Sequence, residues 1–185
     1  MKKVIIVGFI VIVGLILINI FYPANNSNNK GRGDDLVSIM NISSPSFSQN
    51  ENIPVKFTCD GEGINPRLEI FNIPEGAKSL VLIMDDPDAP AGTFTHWLLW
   101  NINSTLTAIE ENGVPDGSVQ GLNDTGKVGY IGPCPPNGSH RYFFKLYALD
   151  STLDLQEGAS KGDLESAISD HKIDQAEFIG LYERS

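Results

Sequence analysis

The sequence has few basic residues, and this shortage narrows what the protein can bind. It contains 13 lysines and arginines against 23 aspartates and glutamates, for a formal net charge of −10 at pH 7. Without Lys2 and Lys3 the remainder holds 11 basic and 23 acidic residues, so its net charge is 11 − 23 = −12. This sign argues against binding of nucleic acid, and against adhesion to an anionic lipid surface through bulk charge. An anion must therefore bind at a local, pre-shaped site.

Patterns typical of metal sites and of activated nucleophiles are also missing. There is no His-x-x-x-His or Cys-x-x-Cys spacing, and Ser139 is next to His140 only in sequence. We therefore expect no catalytic residue, no metal and no cofactor. Two histidines and two aspartates leave a metal-assisted phosphoester hydrolase as a less favoured alternative. Cys59 and Cys134 are the only cysteines, and such a pair tends to be oxidised outside the cell.

The N-terminus is typical of a membrane segment. An uncharged apolar stretch from Val4 to Tyr22 follows the two lysines. It is just long enough, at about 1.5 Å per residue, to cross a hydrocarbon core of about 30 Å. Residues 1–23 therefore predict one transmembrane helix, a signal anchor that leaves the protein single-pass in the cell membrane with its domain extracytoplasmic. The alternative is a signal peptide, whose cleavage would leave the domain secreted, although the exit lacks an Ala-x-Ala site. Residues 24–35 are polar and predict a flexible tether.

The rest of the chain, 36–185, has the length and pattern of one mainly β domain. Short apolar or alternating runs separated by turns predict a sheet-dominated sandwich with few short helices. The predicted strands are Leu36–Ile42, Ile53–Thr58, Leu68–Ile70, Ser79–Asp85, His96–Ile102 and His140–Leu149. One helix is predicted to begin at Ser160, which has Asp163 three residues later, and to run to Ile168. The final segment, Gln175–Tyr182, fits a strand or a short helix.

Three loops place reactive side chains in stiff backbone. In Asp85–Pro90, each proline restricts the residue before it, so Asp86 and Asp88 sit in a constrained turn. His96 stands at the start of an apolar strand. The segment 129–138 holds three glycines and three prolines and leads into His140 and Tyr142, which share one face of a strand because side chains alternate. We expect these polar side chains to form one small pocket.

The order and spacing of these motifs resemble the phosphatidylethanolamine-binding protein family, and more closely its bacterial and archaeal Raf-kinase-inhibitor-like branch. The motifs are Asp86-Pro87-Asp88-Ala89-Pro90, His96-Trp97, Gly132-Pro133-Cys134-Pro135-Pro136 and His140-Arg141-Tyr142. The resemblance extends over roughly Leu36 to Arg184. It implies a large antiparallel sheet packed on a smaller one, with an anion pocket at one end. The implied ligand-binding residues are Asp86, His96, Gly132, Pro135, Pro136, His140 and Tyr142, supported by Asp88 and Tyr130.

The chain also departs from this pattern. Arg67 and Ile70 stand where the branch usually shows proline and tryptophan. The sequence stops soon after Tyr182, without the C-terminal helix of the animal proteins, so their kinase-regulating behaviour does not transfer directly. A kinase or peptidase partner follows from family analogy alone. The resemblance also places both cysteines near the pocket, where either a disulfide or two buried free thiols is consistent with the sequence.

The predicted function is binding of a small phosphorylated or zwitterionic ligand. Asp86 would repel phosphate unless it orients a histidine or meets the ammonium of a phosphoethanolamine head group. A protonated histidine, the Tyr142 hydroxyl and loop N–H groups would then donate to the phosphate oxygens. Peptidase inhibition is the alternative, again from analogy. Candidate glycosylation sequons begin at Asn25, Asn41, Asn103, Asn123 and Asn137.

Overall fold

The computed structural model describes residues 39–184. Over this range the chain forms eight strands, one α-helix and one 3₁₀ turn. The strands are β1 Asn41–Ser43, β2 Leu68–Phe71, β3 Ser79–Asp86, β4 Phe94–Asn103, β5 Ala108–Ile109, β6 Val119–Gln120, β7 Ser139–Leu149 and β8 Lys172–Glu183, with helix α1 at Lys161–Ile168. The predicted anchor at 1–23, the tether at 24–35 and the first residues of the predicted Leu36–Ile42 strand lie outside the described residues. Within those residues, no helix has the length and apolarity needed to span a membrane.

Two antiparallel sheets form the domain, which confirms the predicted mainly β class. The smaller sheet has the order β1-β2-β5 and the larger has the order β6-β4-β3-β7-β8. The strand β3 is buried at every position, as its uninterrupted apolar run predicts. The main core lies between the two sheets and includes Ile42, Ile70 and Phe144.

The opposite face of the large sheet packs against α1. Leu164 and Ile168 of the helix bury against Val81 and Ile83 of β3. The predicted helix start is confirmed, because Ser160 accepts from the Asp163 N–H and the Asp163 carboxylate accepts from the Ser160 N–H. The helix therefore covers the face of β3 opposite the main core, and β3 ends at the pocket residue Asp86.

One predicted strand is wrong. Ile53–Thr58 contains a 3₁₀ turn over Val55–Phe57, because the Pro54 carbonyl accepts the Phe57 N–H at 2.9 Å. Pro54 lacks an N–H and so suits the start of a helical turn better than a strand interior. The last segment, by contrast, is a strand, and it extends over Lys172–Glu183 along the whole of β7.

Candidate functional site

A cavity of about 290 Å³ lies at the end of the large sheet where β3 ends and β4 and β7 begin. It brings together six of the seven residues predicted to bind a ligand. The lining residues are Asp86, Ala89, Pro90, Phe94, His96, Thr125, Ile131, Gly132, Cys134, Pro135, Pro136 and His140. Most of the wall is apolar and only a few polar groups point inward, which is the usual composition of a small-molecule site.

Asp86 and His140 form a buried pair at the polar end of this cavity. His140 Nδ1 lies 2.7 Å from Asp86 Oδ2, and the side chains are 7% and 5% exposed. Asp86 Oδ1 accepts the Asp88 N–H at 2.9 Å, so both carboxylate oxygens have donors. The pair joins the end of β3 to the start of β7 and leaves His140 Nε2 as the nitrogen available to the cavity.

Asp88 lies outside the cavity lining and supports this pair from behind. Its carboxylate accepts the Arg141 backbone N–H at 2.9 Å and two guanidinium N–H groups at 2.8 and 2.7 Å. The Arg141 guanidinium lowers the pKa of Asp88 to about 2, although partial burial of the carboxylate acts in the opposite direction. Arg141 is thereby paired, so it adds no free cation to the pocket.

His96 is held in place by a bulge in β4. Met84 pairs with Trp97 and Asp85 with Thr95, so His96 is the extra residue on its strand. The His96 carbonyl accepts the Ile131 N–H at 3.0 Å, and His96 Nδ1 lies 2.8 Å from the Ile131 carbonyl oxygen. Burial lowers the pKa of His96, although the Ile131 carbonyl and the Asp86 charge oppose the shift. The expectation of a protonated histidine donor therefore does not suit His96.

Tyr142 does not line the cavity, which sets it apart from the other predicted ligand-binding residues. Its side chain is fully buried, and its ring meets the His96 ring edge-on with centroids 5.2 Å apart. Within the described chain the Tyr142 hydroxyl makes no hydrogen bond of good geometry, although the nearby Cys134 N–H slightly lowers its pKa. Burial, followed by the charges of Asp86 and Asp88, raises that pKa well above its ordinary value. The ring is therefore buried against His96, and its hydroxyl is an unused donor outside the cavity lining.

The glycine- and proline-rich loop is tied to the 3₁₀ segment at several points. Tyr130 Oη donates to the Phe57 carbonyl at 2.7 Å, and the Cys59 N–H donates to the Pro133 carbonyl at 3.0 Å. Cys59 and Cys134 form a disulfide with their Cα atoms 5.4 Å apart. Gly132 approaches so closely that an added Cβ would lie 2.8 Å from the Phe57 carbonyl oxygen. These contacts fix the wall that Pro135 and Pro136 contribute.

Six lining residues were not predicted from the sequence to bind a ligand. They are Ala89, Pro90, Phe94, Thr125, Ile131 and Cys134, of which Cys134 was named only as a disulfide candidate. Phe94 lies two residues before His96 and therefore on the same face of the strand, and this spacing could have identified it as a lining residue. Thr125 is positioned locally, because the Asn123 carbonyl oxygen accepts from its N–H and its hydroxyl, and this Asn-x-Thr turn is the signal that could have identified it.

Asn123 organises the loop that carries Thr125. Its amide donates to the Gly129 carbonyl at 3.0 Å, while its carbonyl oxygen accepts from the Thr125 N–H at 3.0 Å. The residue is only 4% exposed. The sequon at Asn123 is therefore inaccessible in the folded domain, whereas Asn103 and Asn137 are exposed and Asn25 lies outside the described residues.

Comparison of the sequence with models of protein families assigns this chain to one of them. Residues 43–183 match a model of the family described as phosphatidylethanolamine-binding protein. The chain belongs to the phosphatidylethanolamine-binding protein family. This membership confirms the resemblance inferred from the four motifs, and it supports a binding function in general.

Relatives of this family member occur in archaea and bacteria. It is 53% identical over 150 residues to a UPF0098 protein of Methanothermobacter thermautotrophicus, covering 78% of this chain and 99% of the relative. It is 50% identical over 163 residues to a UPF0098 protein of Pyrococcus horikoshii, covering 83% and 81%. The relatives' names state no catalytic activity.

Two solved structures are also similar to this member of the phosphatidylethanolamine-binding protein family. One is a homologue of phosphatidylethanolamine-binding protein from Chlamydia trachomatis, with a TM-score of 0.77 and 41% identity over 80% of this chain and 99% of that one. The other is YbcL of E. coli, described as a member of the mammalian family, with a TM-score of 0.75 and 30% identity over 79% and 99%. The two sheets described above therefore have the fold of this family.

Proposed function

We propose that the cavity binds the phosphate group of a small ligand, either inorganic phosphate, a phosphomonoester or a phosphoethanolamine-type head group. The buried pairing of His140 with Asp86 is the observation that carries this proposal. Asp86 holds the imidazole by Nδ1 and leaves Nε2 for the ligand, and in the proposed complex the ring donates from Nε2 to a phosphate oxygen. Asp86 thus orients a donor instead of opposing the anion.

Other groups at the cavity complement this donor. The Gly132 N–H has no acceptor among the described residues, and the Tyr142 hydroxyl is likewise unpaired. Backbone N–H groups in stiff glycine-containing loops bind anions in many proteins. At about 290 Å³ the cavity is at the small end of ligand pockets, which favours a head group over a long polyanion.

The overall acidity of the chain sharpens the proposal. Because the net charge repels anions at long range, affinity must come from short-range donors inside the cavity. Removing the central donor should therefore abolish binding, with no residual attraction from surrounding charge.

Nuclear magnetic resonance of the three histidines tests the proposal directly. Phosphate or phosphoethanolamine should shift the His96 and His140 resonances, while His171 reports no change. His171 is a suitable reference because it pairs with Asp150 at 2.9 Å, next to the end of β7 and the start of β8 and away from the cavity at the start of β7. His140→Ala should abolish the response, and His171→Ala should leave it intact. Unchanged His96 and His140 resonances at millimolar ligand would refute the proposed function.

A further inference from the structure

Both cavity histidines are held in the same tautomer. His96 Nδ1 faces the Ile131 carbonyl oxygen at 2.8 Å, and His140 Nδ1 faces Asp86 Oδ2 at 2.7 Å. A carbonyl oxygen and an ionised carboxylate only accept hydrogen bonds, so each Nδ1 must carry the proton. In its neutral form each ring therefore presents the Nε2 lone pair to the cavity.

The environment of His96 opposes a second proton. The residue is 4% exposed and packs between Phe94 and Tyr142 at ring-centroid distances of 4.9 and 5.2 Å. The charged groups that act on it are Asp85 and Asp86 from β3 and Asp124 from the Thr125 loop, and all three favour the cation. Burial outweighs them, so the pKa of His96 lies below its ordinary value. At neutral pH its Nε2 is consequently an acceptor.

An acceptor inside an anion site has a consequence for selectivity. His96 turns an electron pair toward the ligand, and the ring cannot rotate away because its Nδ1 is fixed by the Ile131 carbonyl. A fully ionised anion would place an oxygen against the His96 lone pair with no proton between them. Because His96 is only 4% exposed, such an unpaired contact is unfavourable.

We propose that this cavity selects phosphate-type oxyanions that carry their own hydrogen-bond donor, and that His96 is the residue that determines this specificity. The donor is a P–OH group or the ammonium of a phosphoethanolamine group. Sulfate and phosphodiesters that have no such donor are rejected. The inference rests on the proposed phosphate-binding function and adds to it the protonation state of the ligand.

The decisive comparison is between phosphate and sulfate, which have nearly the same size and shape. At neutral pH inorganic phosphate retains at least one P–OH, whereas sulfate has none. Calorimetric titration of the full chain at constant ionic strength should give a sulfate affinity about tenfold to a hundredfold weaker than that of phosphate. Phosphoethanolamine should bind like phosphate through its ammonium group, and dimethyl phosphate should bind as poorly as sulfate.

The variant His96→Gln tests the assignment to His96. A glutamine amide can turn an N–H toward the ligand, so sulfate binding should strengthen and the ratio of the two affinities should fall toward one. His171→Gln is the matched control, since the same substitution outside the cavity should leave the ratio unchanged. Circular dichroism of each variant verifies folding. Independently of any variant, the imidazole ¹⁵N shifts of the wild type should show an unprotonated His96 Nε2 that accepts a hydrogen bond from the P–OH of bound phosphate.

The possible outcomes separate the selectivity, the role of His96 and the underlying binding function. Equal affinity for phosphate and sulfate would overturn the inference and leave the proposed function standing. Selectivity that persists in a folded His96→Gln variant would overturn the role of His96. Failure of phosphate to bind at all would refute the proposed function, and the inference with it.

Discussion

Replacing Tyr142 with phenylalanine should raise stability and weaken ligand binding at the same time. The hydroxyl is buried and has no hydrogen-bond partner of good geometry in the described chain. A buried polar group in this condition costs about 1–3 kcal/mol, so removing it should stabilise the folded state by about 1 kcal/mol. For a domain of this size that corresponds to a rise in Tm of about 2–4 °C.

Tyr130→Phe is the matched control, because the same atom is removed from a hydroxyl that is bonded. Tyr130 Oη donates to the Phe57 carbonyl at 2.7 Å, and the substitution leaves that carbonyl unpaired. We expect a loss of about 1–2 kcal/mol, opposite in sign to the effect at Tyr142. Calorimetric melting of both variants beside the wild type measures the difference.

The affinity for phosphate gives the second measurement. A buried donor without a partner calls for an explanation, and the proposed function offers one in an oxygen of the bound phosphate. Loss of a hydrogen bond to a charged ligand should weaken binding by Tyr142→Phe about tenfold or more, whereas Tyr130→Phe should change it little. If Tyr142→Phe lowers Tm as much as Tyr130→Phe does, the hydroxyl has a structural partner and the reasoning fails.

Four further predictions concern the support of the pocket and the N-terminus. In a denaturation assay, Gly132→Ala should destabilise the protein by about 1–3 kcal/mol, because its Cβ would meet backbone at 2.8–2.9 Å. Gly162→Ala is the matched control: its Cβ meets nothing closer than 3.9 Å, so it should stabilise α1 by up to about 1 kcal/mol in the same assay. The pKa of Asp88 is lowered from 3.8 to about 2, so its ion pair stabilises the fold above about pH 4 and is lost as the pH falls toward 2. After allowance for solvent exposure, Asp88→Asn should lower the free energy of unfolding by about 1 kcal/mol at neutral pH. It should also make that free energy depend less on pH in the acid range. Reduction of the Cys59–Cys134 disulfide, which spans 75 residues, should lower the free energy of unfolding by about 4 kcal/mol, and equal urea midpoints with and without a dithiol would contradict this. We also propose that the N-terminal apolar segment anchors the domain on the outer side of the membrane. The protein should then remain in membranes after alkaline extraction, and protease added to intact cells should digest it. A shortened chain in the medium would instead indicate a cleaved signal.

Much of the fold could be predicted because its strongest elements are local. The run Leu80–Met84 is apolar at every position, so it could only be a strand covered on both faces. Alternation along β7 placed His140 and Tyr142 on one face and Arg141 on the other, as the burial pattern shows. The helix start at Ser160 rests on two side chains three residues apart, and local chemistry of this kind is readable without tertiary contacts.

One prediction failed because a local turn overrode the hydrophobic pattern, and others stayed open because a distant contact decides the outcome. Pro54 starts a 3₁₀ turn, which hydrophobic pattern alone did not distinguish from a strand. His96 owes its orientation to a one-residue bulge in β4 and to Ile131, which lies 35 residues further along the chain. The Thr125 loop is held on β4 by Asp124, whose carboxylate accepts from the N–H of Thr95, 29 residues earlier.

The sequence by itself determined which residue types meet at this pocket, because stiff proline loops, strand alternation and the order of four motifs are properties of neighbouring residues. Only the tertiary structure decided their roles. Asp86 and His140 are 54 residues apart, and their pairing makes the carboxylate the partner that orients the imidazole. The Ile131 carbonyl makes His96 an acceptor, and burial leaves the Tyr142 hydroxyl without a partner. Protonation and hydrogen bonding depend on what surrounds a group in space, and that surrounding exists only once the two sheets are packed.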